Sequence, residues 1–235
     1  YSPSIKETGQ FDELLDVIRT GEPVAYDDLL IPQMFGDRII AMNAFAVGDG
    51  LGVIMRDITE QKMLEMRLHY AATHDSLTGL PNRALFQDRL DHAISLARRD
   101  NEKVAVMFVD LDGFKAVNDN YGHAAGDLLL TAIAERLVTY LRKSDTVSRL
   151  GGDEYTILVE NFDGEEKLAA LVKKIQAGIA KSFWIDEQEV KITASVGISY
   201  YPKDDEDSEG LLQKADAAMY RSKQRSNNSY QFYSE

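Results

Sequence analysis

Apolar residues recur along this chain in two kinds of block, one at helical spacing and one in short extended runs. Phe11, Leu14, Leu15 and Ile18 fall on one face of a helix, and Gly21 to Pro23 stop it. Three extended runs follow at 25–31, 38–47 and 51–58, separated by Pro32 and by the turn Gly48-Asp49-Gly50. Residues 59–73 contain neither Gly nor Pro and are rich in Gln, Lys, Glu, Met and Leu, which predicts a helix. Its apolar face is wide: Leu64, Leu68 and Ala71 lie beside Met63, Met66 and Tyr70. Burial against the chain's own body and pairing in a parallel two-helix stalk both fit that pattern. A link at 75–83 carries Gly79 and Pro81. Beyond it the pattern gives a helix at 84–98, a strand at 104–110 and a helix at 127–140. A hairpin of 147–150 with 155–159 comes next, then a helix at 165–181 and a strand at 190–199. The acidic stretch 204–209, a helix at 210–224 and a strand at 230–233 end the chain. Helices and strands in this mixed order predict an α/β (α+β) sandwich, with a central, mostly antiparallel sheet flanked by helices.

Composition changes that picture little but narrows the partners. A chain of 235 residues has room for one large or two modest domains, and 44% hydrophobic with 28% charged residues is ordinary for a globular protein. A net charge of −13 without any long run of Lys or Arg argues against a long nucleic acid as partner, while a small nucleotide can still be met locally by a metal and a few lysines. The absence of cysteine excludes disulfides and thiolate metal sites and suits a reducing compartment. No apolar run approaches ~18 residues and no secretory signal is present, so a cytoplasmic location and no membrane contact are expected for this stretch. The chain opens on Tyr1 rather than Met, so it is expected to be a piece of a longer protein, and an anchor upstream stays open.

The chemistry concentrates in two acidic clusters. The hairpin turn reads Gly151-Gly152-Asp153-Glu154, and two acids at a tip repel each other unless a cation removes the cost. The apolar run 104–109 ends in Asp110-Leu111-Asp112 before a glycine, as a buried strand does when it opens into a site. If hairpin and strand are neighbours, Asp110, Asp153 and the backbone carbonyl of Leu111 can share a hard cation. Mg²⁺ fits, because it takes a few carboxylates plus water and substrate phosphates.

Several blocks, in order, carry a family resemblance: DSLTGLPNR at 75–83, FVDLDGFKAVNDNYGHAAGD at 108–127, GGDEY at 151–155 and ADAAMYRSK at 215–223. Together they resemble the GGDEF domain of diguanylate cyclases, over about 75–233. The resemblance implies a nucleotidyl-cyclase or palm-like fold, a homodimer, GTP as substrate, cyclic di-GMP as product and Mg²⁺ (or Mn²⁺) as cofactor. It implies metal ligation by Asp110, Leu111 and Asp153, with Asp153 and Glu154 as the catalytic carboxylates. It places Asn118, His123 and Asp127 at the guanine, across a loop leading into a helix N-terminus. Phe114, Lys115, Gly151, Gly152 and Lys223 fall at the phosphates. Residues 1–58 look like the last helix and three strands of a PAS sensory domain, with 59–74 as a linker helix and 75–235 as the cyclase domain.

Two further features bear on activity and control. Asn227 stands where the family usually has an arginine that holds the terminal phosphate, and Arg225, two residues away, lies on another helical face. Arg142 and Asp145 precede the Gly151 turn at the spacing of the family's RxxD inhibitory site for cyclic di-GMP, with Lys173 or Lys174 as a second cation. The readings this leaves are an active cyclase under product inhibition and PAS control, or a weakly catalytic receptor for GTP or cyclic di-GMP. A third is an intramolecular cyclase giving a monocyclic product.

Overall fold

The computed structural model describes residues 10–30, 35–185 and 187–234. The Phe11 side chain, Ile31 and Pro32, which the sequence places in the first helix and at the end of the first strand, lie outside the described residues. The chain forms two compact units, Tyr1–Tyr70 and Ala71–Glu235.

In the first unit, helix α1 (Gln10–Thr20) precedes the antiparallel sheet β1 (Val24–Leu30), β2 (Ile39–Val47) and β3 (Gly50–Asp57), in that spatial order. Val17, Leu29, Ile40, Met42 and Ala44 form its small core. Helix α2 (Thr59–Thr73) begins where the Asp57 carboxylate accepts the Thr59 amide at 3.0 Å, while the Thr59 hydroxyl accepts the Ile39 amide at 2.9 Å. No residue of α2 is buried, and Leu64, Met66 and Leu68 are all more than half exposed.

The second unit holds α3 (Arg83–Asp100), β4 (Val104–Asp112), α4 (Phe114–Tyr121), α5 (His123–Val138), β5 (Thr146–Gly151), β6 (Glu154–Glu160), α6 (Glu165–Ile179), β7 (Phe183–Ile185), β8 (Gln188–Val190), β9 (Thr193–Tyr201), α7 (Ser208–Arg225) and β10 (Tyr230–Phe232). Its five-stranded sheet runs β10-β9-β4-β6-β5, antiparallel except for the β10–β9 pair. The central strand β4 is buried on both faces, which is why its sequence reads as an unbroken apolar run. Ala105, Met107, Val109 and Leu111 pack towards Val117, Leu129, Ile133, Leu137, Val172 and Ile175 of α4, α5 and α6. Val104, Val106 and Phe108 meet Phe86, Leu90, Leu211, Ala215 and Met219 of α3 and α7 on the other face. Each of these Val, Leu, Ile, Phe and Met side chains contributes roughly 1.5–3 kcal/mol on burial. At Gly197 of β9 a Cβ would overlap the Ala215 carbonyl oxygen and the Met219 amide, so glycine lets α7 lie close against the sheet.

Three elements, α4, β7 and β8, differ from the sequence expectation. The stretch expected as a loop before residue 127 contains α4, bracketed by Gly113 and Gly122 at φ of 79° and 85°, and α5 begins at His123. Only Phe114 and Val117 of α4 are buried, too few apolar positions to show a period. The β7–β8 hairpin, with strands of three residues each, was not expected; only its last residue, Val190, falls in the strand expected at 190–199, which begins at Thr193 as β9. Asp207, in the acidic stretch before α7, caps that helix by accepting the Glu209 and Gly210 amides.

Candidate active site

The expected neighbours do meet. Asp110, at the open end of β4, lies directly opposite Glu154 of β6 and Ser195 of β9, and opposite residues of an antiparallel pair project from the same face. The Leu111 amide donates to the Asp153 carbonyl at 3.3 Å, which fastens strand to turn. From the last turn of α7, Lys223 Nζ reaches Asp110 Oδ1 at 2.5 Å. Lys223 was expected at the phosphates; here one of its three donors is engaged by Asp110.

Burial raises the Asp110 carboxyl above the usual carboxylate range; Asp153 and Asp112 add to this and Lys223 opposes it. Burial likewise raises Glu154, reinforced by Asp110, Asp216 and Asp153 against Arg83. Lys223 is also raised: burial opposes its charge, and the neighbouring Asp110, Asp153 and Asp112 outweigh it. Crowded carboxylates that resist ionisation favour a cation among them. Among the described residues no group of three or more His, Cys, Asp or Glu side chains is disposed to hold a metal ion. Two carboxylates and a carbonyl at a strand end fit a hard ion that takes its remaining oxygens from substrate and water.

The turn itself is held by a residue that sequence reasoning passed over. Arg149 is 9% exposed, and its Nε and Nη2 donate to the Gly152 carbonyl at 3.0 and 2.7 Å while Nη1 donates to Asp75 at 2.9 Å. Asp75 also accepts the amide and hydroxyl of Thr78, and the Arg149 amide donates to the Pro81 carbonyl at 3.1 Å. An arginine inside a strand, between Ser148 and Leu150, was the signal that could have found this clamp. Burial pushes the Asp75 carboxyl up, but the bonds from Thr78 and Arg149 outweigh it and leave it lowered. Gly151 and Gly152 take φ of 144° and 55°, which other residues rarely adopt, and nothing within 4 Å would meet a Cβ on either. Glu154 also lines a cavity of about 940 Å³ between α3 and α7, with Arg83, Leu150 and Asp216.

Gly113 caps α4 without a side-chain acceptor, so the first N–H groups of the helix, at Phe114 and Lys115, keep their donors for an anion. The Phe114 ring is buried and Lys115 is exposed. Asn118 lies against α5 where Gly126 has no Cβ, and its Oδ1 is buried with no partner among the described residues. Exposed Asp127 adjoins that glycine, and His123, also exposed, lies one helical turn earlier on the same face. Asp127 therefore sits within α5 rather than at its start.

Away from this end, Asp145 Oδ2 accepts the Arg142 amide at 2.9 Å, and Asp145 Oδ1 is buried without a partner among the described residues. Arg142, Asp145, Tyr140, Asn161, Lys167 and Lys174 line a cavity of about 490 Å³, and Lys174 lies 5.2 Å from the Tyr140 ring centre. Lys173 is exposed and does not line it.

Fold and site together define a class of protein: an α/β sandwich whose central strand ends in carboxylates, beside a glycine turn and a helix N-terminus open to an anion. Residues 72–229 match the family described as diguanylate cyclase, GGDEF domain, and the chain belongs to that family. It is 49% identical over 162 residues to the bifunctional diguanylate cyclase/cyclic di-GMP phosphodiesterase MucR of Pseudomonas aeruginosa, covering 69% of this chain and 24% of MucR. It is 38% identical over 208 residues to the cyclic di-GMP phosphodiesterase PdeR of Escherichia coli, covering 85% of this chain and 31% of PdeR. The chain thus spans about a quarter to a third of these two relatives. The solved GGDEF domain of P. aeruginosa TpbB superposes with a TM-score of 0.67 at 40% identity, covering 68% of this chain and 94% of that one. The GGDEF domain of DgcB from Caulobacter crescentus, solved in complex with c-di-GMP, gives 0.64 at 26% identity, covering 69% and 96%. The α/β sandwich read from the sequence is the fold these structures share.

Proposed function

We propose that the protein is a diguanylate cyclase, condensing two GTP into cyclic di-GMP with release of two pyrophosphates. The observation that carries this is the pairing of Asp110 with Glu154 beside a glycine turn with open space in front of it, and Lys223 reaching in from α7. Asp110, the Leu111 carbonyl and Asp153 are assigned as ligands of Mg²⁺ or Mn²⁺, which when bound polarises the phosphates and eases ionisation of the ribose 3′-hydroxyl. The α4 amides at Phe114 and Lys115, with the Lys115 and Lys223 side chains, hold the phosphates, and Gly151 and Gly152 let them approach the hairpin backbone. Asp127 accepts from the guanine N1 and N2 donors, and Asn118 and His123 meet its other edge. Asp153 takes the proton of the attacking 3′-hydroxyl, with Glu154 completing the acidic turn. The 3′-oxygen bonds to the α-phosphorus of the facing GTP, the bond to its β-phosphate breaks, and pyrophosphate leaves; the second such step closes the ring.

Each chain supplies one half-site, so we assign a homodimer, with the exposed apolar face of α2 as the pairing surface and the first unit, read as PAS-like, as the regulator. Arg142 and Asp145 are assigned as the product-inhibition site; the unpartnered Asp145 oxygen and the cavity beside it support this. GTP supply places the reaction in the cytoplasm. The receptor reading rests on Asn227 in place of the family's arginine. Incubation with GTP and Mg²⁺, followed by mass detection of the product, separates the readings: cyclic di-GMP supports the cyclase, a monocyclic product or none sinks it. Asp153→Asn is expected to lose turnover by ~100-fold or more with its melting temperature retained.

A further inference from the structure

Asp112 lies two residues beyond Asp110 on β4, and no role described so far uses it. It is buried, and both its oxygens are taken: Oδ1 accepts the Ser195 hydroxyl at 2.7 Å, and Oδ2 accepts the Thr193 hydroxyl at 2.6 Å and the Asn228 amide at 2.8 Å. Asn228 belongs to the turn that follows α7, and its φ is 56°. The same turn is fastened at Ser229. Its hydroxyl pairs with that of Ser222 at 2.5 Å and donates to the Ser226 carbonyl at 2.7 Å, while its carbonyl accepts Gln176 Nε2 at 2.9 Å and the Val196 amide at 3.0 Å. Residues 226–229 are therefore tied to β4, β9 and α6 at once.

A connection from a helix to a short edge strand has no need of a buried carboxylate, which is costly to desolvate unless its bonds are made. The C-terminal end of a helix also carries partial negative charge, which repels an anion unless the cations of the last turn are fixed in place. Lys223 and Asn227 lie at that end of α7. We propose that Asp112 is a positioning residue: through the Asn228 amide it locks the turn after α7, and so holds Lys223 and Asn227 beside the phosphates of the nucleotide. The phosphate part of this rests on the cyclase reading; the lock itself does not.

The lock is tested without nucleotide by amide hydrogen exchange across residues 226–229, and its consequence by calorimetric binding of 3′-deoxy-GTP with Mg²⁺, a probe that lacks the attacking hydroxyl. Asp112→Ala is expected to speed exchange at Asn228 and Ser229 and weaken 3′-deoxy-GTP by ~10-fold, the effect of one lost buried hydrogen bond. In turnover it raises KM far more than it lowers kcat. Asp112→Asn keeps the shape, and the Thr193 and Ser195 hydroxyls can rotate to suit an amide, so exchange and binding should stay near wild type. Exchange unchanged in Asp112→Ala overturns the lock, and Asp112→Asn as weak as Asp112→Ala shows that the charge acts directly and overturns the positioning role. If Asp112→Ala does not fold, Thr193→Val with Ser195→Ala removes two of the three donors and must speed exchange at Asn228; unchanged exchange there overturns the proposal. Wild-type chain that binds no 3′-deoxy-GTP sinks the cyclase reading instead, while exchange still decides the lock.

Discussion

Glu154 and Asp75 illustrate how opposite pressures act on two carboxylates of one hairpin neighbourhood. Glu154 is held above its usual range by burial and three acidic neighbours, so its ionised form costs folding stability. A folded pKa above the unfolded one means the penalty is absent at low pH and appears as pH rises through the unfolded value towards the folded one. Glu154→Gln should therefore melt higher than wild type at pH 7, with the gain vanishing near pH ~4 where the wild-type group is already protonated. A calorimetric series across pH checks this, and a gain independent of pH would remove the electrostatic explanation. Asp75 shows the reverse sign. Its folded pKa is lowered, so its contribution is complete above the unfolded value of ~3.9 and is lost as pH falls through the folded one. Asp75→Asn should be less stable than wild type at pH 7, and the two melting curves should converge as acidification carries the wild-type carboxyl below its unfolded value and through its folded one.

Among the elements, strand β4 and the hairpin were legible in the sequence, because an unbroken apolar run and a glycine turn between two runs have few other meanings. So was the meeting of Asp110 with the turn, since carboxylates at the ends of adjacent strands have little freedom to miss one another. Helix α4 was not legible: eight residues with two buried positions show no period, and its glycine caps read as loop punctuation. Arg149 and Asp112 escaped for another reason. Their partners, Asp75 on one side and Ser195 and Asn228 on the other, are distant in sequence, and only the folded sheet brings them together. Gly197 belongs to this group, because its value lies in the closeness of α7. Gly197→Ala is expected to cost about 2–3 kcal/mol from overpacking against the Ala215 carbonyl and to loosen α7 over the site. Urea unfolding measures it, and a cost within error of zero would mean α7 can lift without penalty.

For the whole molecule, α2 is the feature that a single chain leaves unexplained. Fifteen residues of helix bury none of their side chains, and Leu64 and Leu68 are 55% and 61% exposed. If this face pairs two chains, Leu64→Lys with Leu68→Lys should shift sedimentation towards the monomer and depress the proposed turnover by ~10-fold or more, with the fold of the second unit intact by circular dichroism. A dimer unmoved by the double change would assign the face elsewhere. The clamp around the turn has a mechanical consequence. Asn82 donates from Nδ2 to the Ala72 carbonyl and from its amide to the Thr73 carbonyl, both at 2.9 Å, so the end of α2 is cross-linked to the stretch that carries Asp75. From there Arg149 runs straight to Gly152. Tension on the chain at Thr73 thus has a short, stiff path to the glycine turn, and a pull too weak to unzip the sheet would still strain the peptide next to Asp153.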